Sequence, residues 1–181
     1  MRGNSRLVAL SLLVLLVLSL WVLLAGCGKP DQYVVTVDYG QTLDQMLAAA
    51  HFTYYDREYL RQCPVDQTSG QVTLTGQLYH ARYGDSFYDV EEKLSDKGLR
   101  SATFPELLAW VAQFPLLPEK KEQVVLCPGS MWNTDIGPIT AYVYKDGAER
   151  QARLMEQHMG IVGKSYYVLA FPRASSMGLV M

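Results

Sequence analysis

The residues able to do chemistry are few: three cysteines, three histidines and one short segment carrying a tryptophan. His51, His80 and His158 form no His-x-x-x-His pair, and the cysteines form no Cys-x-x-Cys. A zinc site therefore has no local signature and would need ligands brought from distant positions. Neither a metal nor a cofactor is expected. Cys127 follows the apolar Val124-Val125-Leu126 and precedes Pro128-Gly129, a place where a nucleophile can stand, with His51 or His158 as its base. The plainer readings are a buried thiol or half of a disulfide. Cys63 and Cys127 form an even pair once Cys27 is set aside. A bridge between them would close a loop of roughly 65 residues and add about 4 kcal/mol in the chain-entropy picture. The alternative is two buried thiols that never meet, because sequence does not supply the Cα separation a bridge needs. Ser130 lacks the Gly-x-Ser-x-Gly elbow of a serine hydrolase.

Residues 127–138 contain two Gly and two Pro and read as a loop. Within it, Ser130, Trp132, Asn133 and Asp135 make the best candidate ligand site. The indole can stack, and the others can hydrogen-bond a polar ligand. The competing reading has Trp132 packed inward as the loop's anchor. Asn133 and Asp135 alone supply too few oxygens for calcium. His80 shares the apolar face of its strand and reads as a hydrogen-bonded core histidine rather than a base. The 12 tyrosines suit either a recognition surface or half-buried sheet faces.

The elements that must position these residues are legible. Residues 33–38 are β-branched and aromatic, a strand that Gly40 breaks. Thr42 and Gln45 make a capping box for a helix whose Leu43, Met46, Leu47 and Ala50 share one face. Residues 52–60 are aromatic without a clean period and read as a partly buried connection. Val72, Leu74, Gly76, Leu78 and His80 alternate with polar neighbours, a strand with one apolar face. Gly76 within it suggests a bulge or a close neighbour. Ser86 caps a helix over 87–97, and Gly98 follows its end. Thr103 and Glu106 form another box, with Pro105 in the first turn. Phe104, Leu107, Leu108 and Val111 stripe that helix until Pro115 stops it. A short strand over 124–126, a hairpin around Lys145-Asp146-Gly147 and a last strand over 165–171 complete the order. Helices and strands do not alternate regularly. This predicts a single α+β domain with a mixed or antiparallel sheet and about three helices.

The N-terminus sets location. Arg2 and Arg6 precede an apolar run from Leu7 to Leu24, the layout of an export signal. Leu24-Ala25-Gly26-Cys27 then resembles the lipobox of bacterial lipoproteins. That resemblance implies cleavage before Cys27, lipid on its thiol and an extracytoplasmic domain held at the cell membrane. An uncleaved anchor helix would place the domain on the same side. The expected organisation is a signal peptide over 1–26, a tether over 27–32, the domain over 33–173 and a flexible tail over 174–181. Without Arg2 and Arg6, 14 basic residues face 18 acidic ones. Scattered basic residues on a net-acidic chain argue against nucleic acid as a partner.

Residues 98–109, Gly-Leu-Arg-Ser-Ala-Thr-Phe-Pro-Glu-Leu-Leu-Ala, resemble the Gly-Leu-Arg-Pro-Ala-Thr-x-x-Glu-Leu-Leu-Ala signature of an uncharacterised family of small proteins from candidate-phylum bacteria with reduced genomes. Residues 42–48, 124–132 and 166–173 are similar to other parts of that family, so the likeness spans most of 33–173. Ser101 departs from the family's proline, Cys127-Pro128 is an insertion, and the lipoprotein signal is atypical. The resemblance implies architecture and no activity. A capped helix, a Gly-Ser-x-Trp segment and aromatic end strands also resemble C-type-lectin-like folds in the C-terminal half. The sequence thus predicts a cell-envelope lipoprotein with a non-catalytic binding or scaffolding domain for an envelope protein or glycan. A hydrolase acting on cell-wall polymers is the alternative.

Overall fold

The computed structural model describes residues 32–64, 70–114, 122–135, 137–156 and 166–173. The signal peptide, Cys27, the tether through residue 31, His158 and the tail 174–181 lie outside the described residues. The strands are β1 (Tyr33–Asp38), β2 (Tyr54–Tyr55), β3 (Gln71–His80), β4 (Leu99–Ser101), β5 (Glu122–Thr134), β6 (Gly137–Asp146), β7 (Glu149–Glu156) and β8 (Tyr166–Pro172). The helices are α1 (Leu43–Ala49), α2 (Arg57–Leu60), α3 (Phe87–Ser95) and α4 (Phe104–Gln113).

Local chemistry accounts for the helix starts. Thr42 Oγ1 accepts from Gln45 N–H while Gln45 Oε1 accepts from Thr42 N–H, so each satisfies an amide the first turn leaves open. Ser86 and Asp89 do the same for α3. The aromatic connection expected over 52–60 contains the single-turn helix α2. Arg57 and Arg61 reach back from it to Asp44 of α1. Hydrogen bonds from Arg61 and then Arg57 hold the Asp44 carboxyl below its usual range.

The strands form one mixed sheet in the order β1-β3-β8-β5-β6-β7-β2, with β4 also paired to β8. The β5/β8 and β2/β7 pairs are parallel and the others antiparallel. This is the α+β class that the sequence predicts. Helices and strands do alternate through the first half, yet the sheet is not doubly wound. Alternation along β8 divides two cores. Tyr167, Leu169 and Phe171 face α1 and α4, whereas Val168 and Ala170 face α3.

Three expectations need correction. Residues 127–134 are not loop but the continuation of β5, and the turn is confined to the end of the β5–β6 hairpin. The ladder shifts between Leu126 and Met131, so β5 advances five residues while β6 advances two. Pro128, lacking an N–H, sits in that bulge, where a strand tolerates proline. Thr140 Oγ1 lies 2.9 Å from Cys127 O and 3.2 Å from Ser130 O, within reach of both carbonyls the bulge unpairs. The Gly-Ser-x-Trp segment behind the C-type-lectin-like resemblance is therefore strand, and the topology lends that likeness no support. His80 is exposed at the end of β3, its ring tilted against Tyr167, and is not a core residue. Gly76 does have a close neighbour: a Cβ there would meet the Phe171 ring at 2.5 Å.

β1 ends the sheet, and its outer edge is met by a side chain. Gln113, the last residue of α4, accepts from Thr36 N–H at 3.0 Å and donates to Thr36 O at 2.7 Å.

Candidate functional site

The four residues nominated on 127–138 do not form one site. Ser130 is buried, and its Oγ accepts from Phe104 N–H at 2.8 Å. It thereby caps α4 from another strand, satisfying an amide that the local box leaves open. Trp132 is 8% exposed and belongs to the core beneath α1 and α4. It anchors β5 rather than facing solvent. Asn133 and Asp135 are exposed near the hairpin end. Alternation along the strand separates the inward pair from Asn133.

The thiols are sealed. Cys127 is fully buried and donates to Ala141 O at 3.0 Å. Burial, reinforced by Cys63, pushes its thiol well up. Burial raises the Cys63 thiol to about 12, with Ser130 pulling the other way. Both cysteines are free, so the bridge their parity allows is not formed. The thiolate is the nucleophile, and burial suppresses it at neutral pH. Of the two bases weighed for Cys127, His158 lies outside the described residues, and His51 is an exposed residue with φ +52° just beyond α1. Among the described residues no three His, Cys, Asp or Glu side chains cluster as metal ligands.

The structure instead builds a cleft of about 520 Å³ where β3, β4 and the start of α4 meet, walled by Val72 and Leu74. Its floor is Glu106, only 1% exposed. Arg100 donates to both Glu106 oxygens at 2.8 and 2.7 Å, a bidentate pair. Thr103 N–H donates to Oε2 at 2.7 Å, and Tyr39 Oη donates to Oε1 at 3.1 Å. Arg100 also lies 5.4 Å above the Phe171 ring. Gly129 lines the cleft because the β5 bulge presses against the β4–α4 junction. A Cβ there would stand 2.7 Å from Ala102 O. Around this knot Ser101 Oγ and Glu91 Oε1 are buried without a hydrogen-bond partner.

Glu106 already holds a guanidinium, an amide and a phenol, so it is poorly placed to carry a proton to a substrate. The cleft can hold a polar molecule against its unanswered oxygens. Sequence reasoning read Thr103 and Glu106 as a cap but missed Arg100 and Tyr39. Arg100 lies six residues from Glu106 across a strand-to-helix junction, where no periodicity marks a pair. Its position inside the signature-like segment was the only available signal. Within that segment Gly98 takes φ +69° after α3, Leu99 packs under α3, and Arg100 closes on Glu106.

No family, no curated protein and no solved structure matches the chain. Among the described residues no helix is long and apolar enough to cross a membrane.

Proposed function

We propose that this chain is an exported, lipid-anchored protein of the cell envelope whose α+β domain binds or scaffolds rather than catalyses. The observation that carries the non-catalytic part is the fate of its nucleophiles. Cys127 is sealed in the core, where burial pushes its thiol well up, and Ser130 is committed to capping α4. A wall peptidase or amidase working through a cysteine or serine nucleophile would need one of them free. What the domain offers to solvent are concave surfaces lined by charged and aromatic side chains, Tyr39, Arg100 and Glu106 in one and Tyr54, Asp56, Tyr142 and Arg153 in the other. The lipid anchor rests on Leu24-Ala25-Gly26-Cys27 following an apolar run. Acylation on two chains is enough for stable attachment.

Expression of the full chain in a lipidating bacterium fed an alkyne fatty acid tests the anchor. The wild type takes up label and loses its signal, and Cys27→Ser does neither. A wild-type protein whose mature N-terminus carries no label refutes the lipoprotein reading. Incubation with purified wall polymer tests the other half. Release of new amino groups or of new reducing ends from that polymer would show a hydrolase and overturn the non-catalytic reading.

A further inference from the structure

The sheet face on the α3 side carries a row of tyrosines that no single strand reveals. In register across five strands stand Tyr54 on β2, Gln151 on β7, Tyr144 on β6, Val124 on β5 and Tyr166 on β8. Aromatic rings therefore occur on every second strand. Adjacent strands lie about 4.8 Å apart, which spaces successive tyrosines by about 10 Å. The neighbouring row runs Arg153, Tyr142, Leu126, Val168 and Tyr79. Tyr144 and Tyr166 are half-buried, and Tyr54 is 54% exposed. At the β2 end the face deepens into a cavity of about 430 Å³ lined by Tyr54, Asp56, Tyr142, Arg153 and Leu154. Asp56 occupies the N-cap position of α2, but its side chain makes no cap bond, so the carboxylate is not spent on the helix. Arg153 is exposed, with its guanidinium 5.7 Å from the Tyr144 ring.

We propose that this row is a binding site for a β-1,4-linked glycan strand lying across the sheet. A pyranose with equatorial substituents presents a flat face of C–H bonds, which packs on an aromatic ring. Its edge presents adjacent hydroxyls that need an acceptor and a planar donor. Asp56 and Arg153 supply that pair at the cavity, and tyrosine supplies the flat surface. Two tyrosine positions about 10 Å apart match the repeat of two rings in an extended β-1,4 chain, so every second sugar finds a ring. The site rests on the reading of the domain as a binding one and does not depend on the lipid anchor.

The test uses the full chain purified in a zwitterionic detergent that carries no sugar, titrated calorimetrically with β-1,4-linked N-acetylglucosamine oligomers of one to six rings. Affinity should rise with length until the chain spans Tyr54 to Tyr166, then level off. The α-1,4-linked maltose series, whose chain curls, should show no such rise. Tyr54→Ala and Arg153→Ala, both surface changes, should each weaken binding about tenfold, the loss of one aromatic or arginine anchor. Circular dichroism confirms that each variant is folded. Absence of saturable binding by the folded wild type, or equal binding by a variant carrying both Tyr54→Ala and Arg153→Ala, sinks this site while leaving the binding-domain reading intact. Shortening of the oligomers during titration, seen by mass spectrometry, would support a glycan site but end the non-catalytic reading.

Discussion

Replacing Arg100 by alanine isolates the energetic logic of the cleft. The change deletes two hydrogen bonds to Glu106, one to Ser101 O at 3.1 Å and the contact with Phe171. It leaves a carboxylate whose side chain is 2% exposed held only by Thr103 N–H and Tyr39 Oη. Breaking a buried ion pair by removing one partner costs about 3–5 kcal/mol. The Arg100 side chain is 34% exposed, so water reaches into the space it vacates. That places the cost near the lower end, roughly 3 kcal/mol. For a domain of this size such a loss lowers Tm by about 6–12 °C. Glu106→Gln keeps an acceptor for Thr103 N–H but turns an amide donor toward the guanidinium, so it too destabilises. Arg100→Ala with Glu106→Gln should recover part of the loss, because neither partner is then left charged and alone. Urea unfolding of the four proteins closes the cycle. A coupling energy within about 0.5 kcal/mol of zero, the scatter expected of independent sites, would refute the claim that the pair acts as a buried unit.

Trp132→Ala should cost about 3–5 kcal/mol, the range for a large buried aromatic. Trp132→Phe should cost less than half of that, since the indole Nε1 it deletes has no partner; equal losses by thermal melting would contradict the anchor role. Leu108→Ala, under the core face of α4, should cost about 2–5 kcal/mol, and a change of a few tenths in urea unfolding would put the packing of that helix in error. Stability should also fall as pH rises above 9. Burial lifts the Cys63 thiol from 9 to about 12, so in that window the unfolded chain has released a proton the native state keeps. The native state then binds more protons, and each pH unit removes about 1.4 kcal/mol through this group. Cys63→Ala should flatten that part of the profile relative to wild type, and parallel profiles over pH 9–11 would argue against the buried thiol.

What was legible in the sequence was what is local. The capping pairs at Thr42 and Ser86 and the Thr103–Glu106 box stand three residues apart, and each marks a helix that exists. Leu107, Leu108 and Val111 follow helical spacing and are buried. Failures came where a partner is distant. Pro128 and Gly129 carry the composition of a loop, but a bulge absorbs the proline and a crowded junction demands the glycine. Ser130 looked like a ligand contact because the helix it caps begins 26 residues earlier. His80 was placed on the right strand, but alternation tells which face a residue takes, not how far along the strand the cover extends. The tyrosine row depends on the register of five strands, which no one of them encodes.

The Gln113 contact with Thr36 ties together two events usually thought of separately. A sheet's last strand has backbone groups that invite a foreign strand, and proteins commonly guard them with charge, proline or a bulge. Here one carboxamide at the end of a helix stands in for the missing strand, returning one donor and one acceptor to the same residue. Helix ends fray first. An opened last turn of α4 would take this guard with it and return the N–H and C=O of Thr36 to solvent. The cover of Thr36 on this edge is thus tied to the closure of a helix terminus, and a side chain too short to span the gap would leave those two backbone groups open.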